Sequence, residues 1–263
     1  MAAIIAPPLI VILGPTASGK TAAGIELAKR IDGEIICADS RTIYQNMNIG
    51  TAKPTVQEQQ GVPHHLLDII TPAQTYSAAQ FKKEAYKLTN EIWERGKYPI
   101  MVGGTGLYID SVLFDYQFSD GRGQRNPENP RHLVGADTSD RMGKIRENTL
   151  VLGISVERPV LKERIEMRVD HMFRDGFLDE VDVLQRKYGW HNESMSGIGY
   201  RLAQEYFKGK ADEAEVKEAF IRRDMSLAKR QMTWFKRNKS IEWFEDRVQL
   251  VQRGADFAKQ YTV

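Results

Sequence analysis

The sequence predicts an α/β fold, a parallel, doubly wound sheet flanked by helices, followed by a helical C-terminal half. Three observations predict it. An apolar, β-branched run at Leu9–Leu13 enters a glycine stretch and then a helical pattern. Short apolar runs and helical stripes alternate through the first 155 residues. Beyond them, apolar positions recur mostly at helical spacing. Alternation of this kind builds a parallel sheet with its ligands at the carboxyl ends of the strands.

The elements follow in order. Leu9–Leu13 reads as a first buried strand, residues 21–31 as a helix, and residues 34–38 as a second strand. Over residues 77–95, Phe81, Ala85, Leu88 and Ile92 form one stripe, with Ser77 as N-cap and Gly96 as stop. Residues 98–102 read as a third strand running into Gly103-Gly104-Thr105, and Thr149–Ile154 as a fourth. Leu161, Ile165, Val169 and Met172 make a further stripe, helical patterns continue over 213–239, and Ile241–Phe244 reads as one more strand. Residues 115–147 break the pattern. They hold six basic and six acidic side chains among Gly, Asn and Pro, so a long neutral loop is expected there within a single domain of residues 1–263.

Composition narrows the class. With 41% hydrophobic and 27% charged residues the chain reads as a soluble globular protein, and no apolar run is long enough for a membrane span. Residues 1–13 are apolar but lack a basic flank, so they read as the approach to a buried strand and not as a signal peptide. A single cysteine, Cys37, excludes an internal disulfide and fits a reducing cytosol, so a cytoplasmic monomer is expected. The net charge of +2 neither demands nor excludes nucleic acid.

Gly14-Pro15-Thr16-Ala17-Ser18-Gly19-Lys20-Thr21 fits the phosphate-loop pattern at every position, between a strand and a helix. It makes the fold P-loop NTPase-like. Its glycines let successive N–H groups turn inward, the helix N-terminus adds positive potential, Lys20 supplies a point charge, and Thr21 offers a hydroxyl to Mg²⁺. A polyphosphate or a pyrophosphate group is the expected ligand. Asp39 stands at the carboxyl end of the second strand, placed for work on a nucleophile or a metal, or else as a turn aspartate. His64-His65 reads more readily as structural than as catalytic, and Gly103-Gly104-Thr105 as a turn or as part of the site.

These strings together resemble the tRNA dimethylallyltransferase (tRNA isopentenyltransferase) family. GPTASGKT is followed by ADSRTIYQNMNIGTAKPT, PHHLLDI and VGGTGLYI, then by ERIEMRVDHMFRDGFLDEV, GIGYR and AKRQMTWF. The resemblance implies transfer of a dimethylallyl group from its diphosphate to the exocyclic amine of the adenosine 3′ of the tRNA anticodon. By similarity, Lys20, Thr21 with Mg²⁺, and Arg168 neutralise the departing diphosphate, and Arg164 assists. Asp39 is the general base and Thr105 steadies the reacting groups. Ser40, Arg41 and Thr42 lie along the flipped-out nucleotide, and Gly199, Tyr200, Arg201, Lys229, Arg230 and Gln231 belong to the tRNA side. The span 217–239 supports that partner with eight Lys and Arg against two acids, interleaved with aromatic surface.

Two departures stand out. Residues 115–147 replace the helical insertion that grips tRNA in typical members. Asp224-Met225-Ser226-Leu227 precedes Ala-Lys-Arg-Gln where the family usually places Thr-Arg. A free adenine nucleotide is therefore the alternative acceptor, and an ATP-dependent kinase the alternative chemistry.

Overall fold

The computed structural model describes residues 6–118 and 144–261, so most of the 115–147 stretch lies outside the described residues. Six strands form one sheet: β1 (Leu9–Leu13), β2 (Gly33–Ala38), β3 (His64–His65), β4 (Tyr98–Gly103), β5 (Thr149–Ile154) and β6 (Ile241–Phe244). Their order is β3-β2-β4-β1-β5-β6, and every pairing is parallel. The nine α-helices among the described residues are α1 (Lys20–Ile31), α2 (Val56–Gln59), α3 (Ala78–Glu94), α4 (Gly106–Leu113), α5 (Arg158–Arg174), α6 (Phe177–Tyr188), α7 (Ile198–Phe207), α8 (Glu213–Phe235) and α9 (Arg247–Ala258).

The central strands are apolar along their whole length because both faces are covered, as a parallel sheet requires. Leu9–Leu13 is buried at all five positions. Ile10 and Ile12 pack toward α1 and α9, while Leu9, Val11 and Leu13 pack toward α3 and α4. Helix α3 carries the expected stripe. Ser77 accepts from the Gln80 N–H at 3.2 Å, and Gly96 ends the helix with φ of 75°. Chain order places β1 between β4 and β5, so the chain leaves β1 toward one edge and later crosses to the other. That switch opens a crevice at the carboxyl ends of β1, β2 and β4.

A third core belongs to the helical half, where the Leu161, Ile165, Val169 and Met172 stripe meets Phe177, Val181, Tyr200 and Phe220. Tyr44 and Met47, from the long connection after β2, are buried in the same cluster. That connection therefore bridges sheet and helices. At the opposite, amino edge, the ends of the 115–147 stretch sit side by side. The Arg146 N–H donates to the Leu113 carbonyl at 2.7 Å, two residues before the Asn148 carbonyl receives the Leu9 N–H.

Candidate active site

The glycine loop curls over the end of β1 as its residue types allow. Gly19 has φ of 89°, a left-handed conformation open to glycine at no steric cost, and Ala17 takes φ of 59°. At Gly14 an added Cβ would meet the Ser18 Oγ at 2.9 Å and the Ile154 carbonyl at 3.0 Å, so the strand can enter the turn only without a side chain. Lys20 opens α1 and bends back, its Nζ donating to the Pro15 carbonyl at 3.1 Å. Burial pulls the Lys20 pKa down to about 8, against the attraction of Asp39 and with the repulsion of Arg168.

The second wall comes from β2 and β4. Asp39 Oδ1 accepts from the Arg41 N–H at 2.8 Å. Thr105 Oγ1 accepts from the Ser40 N–H at 3.0 Å, and the Thr105 N–H donates to the Ala38 carbonyl. The two strand ends approach this closely because residue 103 is glycine. A Cβ there would stand 2.0 Å from the Ala38 carbonyl oxygen. Between the walls lies a cavity of about 200 Å³. Thr16, Lys20, Thr21, Asp39 and Arg168 make its polar side, and Ile35, Cys37, Leu67, Val102 and Pro54 its apolar side.

From the helical half, Arg168 on α5 reaches across the loop and donates to Thr16 Oγ1 at 2.7 Å. Its other arm is paired with Asp224 of α8. Arg164, one turn earlier, approaches the Ser18 carbonyl at 3.4 Å. Gln231 bridges the two glycine motifs, accepting from the Thr16 N–H at 2.8 Å and donating to the Gly104 carbonyl at 2.9 Å.

Gly14 to Thr21, Asp39, Thr42, Thr105 and Arg168 thus meet around one crevice, while other expected contacts fall elsewhere. Gly199 and Tyr200 are core residues, which corrects the expectation that they face RNA. Tyr200 is 1% exposed and donates to Glu180 at 2.7 Å. A Cβ on Gly199 would meet the Phe220 ring at 2.6 Å. Gln231 spends both ends of its amide on the protein. Arg41 reaches the Glu193 carbonyl and Ser196 Oγ. Arg201, Lys229 and Arg230 are exposed; α8 presents Arg222, Arg223, Lys229 and Arg230 to solvent, and Lys236 and Arg237 are exposed in the turn that follows it. His65 is structural, 2.7 Å from Glu34.

Glu180 lies inside the ERIEMRVDHMFRDGFLDEV string, but sequence reasoning assigns it no role. Its carboxylate accepts from the N–H groups of Asn48 and Ile49, each at 2.7 Å, and of Gly50 at 3.0 Å. It thereby fixes the loop that supplies Thr51, Ala52 and Pro54 to the cavity. Its spacing from Tyr200 within two recognisable strings was the sole clue.

The family model described as IPP transferase matches residues 42–141 and 128–238. A tRNA dimethylallyltransferase of Macrococcus caseolyticus is 38% identical over 282 aligned positions, covering 90% of each chain. The chain belongs to the IPP transferase family. A second relative in that family, the tRNA dimethylallyltransferase of Bacillus licheniformis, is 37% identical with 91% of each chain covered. The crystal structure of the full-length tRNA isopentenylpyrophosphate transferase from Bacillus halodurans superposes with a TM-score of 0.83 at 32% identity, covering 97% of each chain. That of the Staphylococcus epidermidis tRNA isopentenylpyrophosphate transferase gives 0.80 at 34% identity, covering 97% of this chain and 98% of its own. The alignment of 282 positions is longer than this 263-residue chain, so the relative carries residues this family member lacks. The two pieces of the family match meet at residues 128–141, inside the 115–147 stretch.

Among the described residues no group of three or more His, Cys, Asp or Glu is placed to hold a metal. A cation held by the Thr21 hydroxyl, substrate phosphates and water needs no such cluster, and Mg²⁺ is usually bound in that way. Thr21 lines the cavity at the start of α1, so the donor set fits Mg²⁺.

Proposed function

We propose that this protein transfers a dimethylallyl group from dimethylallyl diphosphate to the exocyclic amine of the adenosine 3′ of the tRNA anticodon. One observation carries the reading. The anion cradle opens into a small cavity with apolar walls, and Asp39 stands on its polar side. A diphosphate with a short hydrocarbon tail matches both halves of that cavity, whereas a nucleoside triphosphate has no use for the Ile35, Cys37 and Val102 wall.

The diphosphate rests on the loop amides and Lys20, with Arg168 closing over Thr16. As the bond between the allylic carbon and the phosphate oxygen breaks, negative charge grows on the pyrophosphate, where these donors already point. Burial lowers the Lys20 pKa only to about 8, so near neutral pH the ammonium is largely present, and an arriving anion holds its proton more firmly. The adenine amine attacks the carbon, its proton passes to the Asp39 carboxylate, and a carbon–nitrogen bond replaces the carbon–oxygen bond. The Thr105 hydroxyl and the Ser40 N–H brace the strand ends on which Asp39 sits. Mg²⁺, when bound at Thr21, supplies further neutralisation of the phosphate oxygens. The exposed cations of α8 supply backbone contacts for the RNA. Arg41 and Ser40 border the path of the extruded base.

Labelled dimethylallyl diphosphate is to be incubated with tRNA, with an anticodon stem-loop and with AMP. Label is expected in tRNA, dependent on Asp39. Label in AMP alone, or productive phosphate transfer from ATP, overturns the reading.

A further inference from the structure

Arg168 lays its guanidinium across the glycine loop from the helical half, one turn beyond Arg164, and a carboxylate already occupies one of its arms. Asp224 meets that arm from the inner face of α8. Its side chain is 5% exposed, among Val216, Phe220, Ala228 and Phe235 on the same buried face. Burial pushes its pKa up and the Arg168 guanidinium opposes the rise. Burying an acid among apolar neighbours costs stability unless a partner compensates, and replacing such a pair by apolar side chains is often neutral or better. The pair thus points to a role beyond packing.

The position of α8 shows what that role is. Seven residues beyond Asp224, on the same side of the helix, Gln231 accepts the Thr16 N–H. Asp224 reaches the same residue through Arg168, which donates to Thr16 Oγ1. A cradle of loop amides, a helix N-terminus and Lys20 is strongly attractive to anions without further help. An unopposed guanidinium would add a full charge to it, and it would hold the released pyrophosphate as firmly as the substrate.

We propose that Asp224 is a positioning residue for Arg168 and a counter-charge to it, orienting the guanidinium over Thr16 while loosening the cradle's grip on pyrophosphate so that product leaves. The inference rests on the transfer reaction above. Binding energy spent equally on substrate, transition state and product does not raise turnover, and product release limits many enzymes. Asp224 moderates that uniform part of the binding and leaves the orientation of Arg168 intact.

Asp224→Asn keeps an oxygen for Arg168 and removes the charge. Titration calorimetry with inorganic pyrophosphate and Mg²⁺ is expected to show binding about tenfold tighter than in the parent, as removal of the negative charge paired with Arg168 implies. In steady state, kcat and the KM for dimethylallyl diphosphate should fall together. Asp224→Ser should shift affinity in the same direction if the Asn variant folds poorly. A merely structural role would weaken binding and never tighten it. Equal or weaker pyrophosphate affinity in a folded variant overturns the proposal and leaves the proposed function standing. A parent protein that neither binds pyrophosphate nor labels tRNA overturns the function itself.

Discussion

The glycine cradle and the basic face of α8 offer positive charge to anions by opposite means. In the cradle the charge is held in place. Lys20 is tied back to Pro15, Arg168 is fixed between Thr16 and Asp224, and the loop is braced by Gln231. Along α8 the cations stand in water on long side chains. Arg222 is paired with Glu218 within the helix, and among the described residues Arg230 donates to Ser226 Oγ at 2.9 Å. Fixed donors stabilise charge that develops at one point, whereas solvated ones accommodate a flexible polyanion at little individual cost. Substitutions should therefore act sharply in the first region and gradually in the second.

The sharpest contrast is expected at Asp39. Asp39→Ala should lower kcat by about a hundredfold to ten-thousandfold, the range for loss of a general base. Pyrophosphate affinity by calorimetry should hold or rise, because a negative charge leaves the cavity wall beside Lys20, and a large loss would make Asp39 a binding residue instead. Next comes the brace behind the cavity. Glu180→Ala strips the acceptor from three N–H groups and Tyr200, and is expected to cost about 3 kcal/mol in a denaturant titration. The KM for dimethylallyl diphosphate should rise as the loop carrying Thr51 and Ala52 loosens, and unchanged stability would remove Glu180 from this role.

A third test uses pH. Because Lys20 titrates near 8 in the ligand-free protein and an anion raises its pKa, diphosphate affinity is full below pH 8. It should weaken as pH rises above that value, with proton uptake on binding seen in buffers of different ionisation enthalpy. Lys20→Arg, permanently charged, should lose that dependence. The smallest effect is expected on the stripe. Arg230→Ala should weaken tRNA binding a few-fold and flatten the salt dependence by about one phosphate contact, with a further step for Lys229→Ala. An all-or-none loss there would erase the distinction between the regions.

Much of this was legible from residue order. Strands β1, β2, β4, β5 and β6 are apolar runs bounded by turn residues, and the cradle announces itself because its backbone demands glycine at fixed offsets. Other features lacked a local signal. Strand β3 is two residues long, too short for any periodicity. The change at Asp224 is visible as a departure from the family pattern, yet its partner lies 56 positions away and only the packing of α5 on α8 joins them. Gly199 and Tyr200 sit in a string resembling the RNA side of the family, but a glycine needed for close ring packing and one needed beside a ligand look alike in sequence. Gln231 belongs to the tRNA side by resemblance, yet its amide joins the two glycine motifs, because an amide's partners depend on what folds next to it.

The junction between Leu113 and Arg146 has an evolutionary consequence. The chain leaves α4 and returns toward β5 there, where the Arg146 N–H donates to the Leu113 carbonyl, at the edge opposite Asp39 and Lys20. Segments of different size can be spliced in at that point while the reacting groups keep their places. Grafting a longer relative's segment between these two residues would therefore exchange a module at the rim away from Asp39 and Lys20, without rebuilding the candidate catalytic centre.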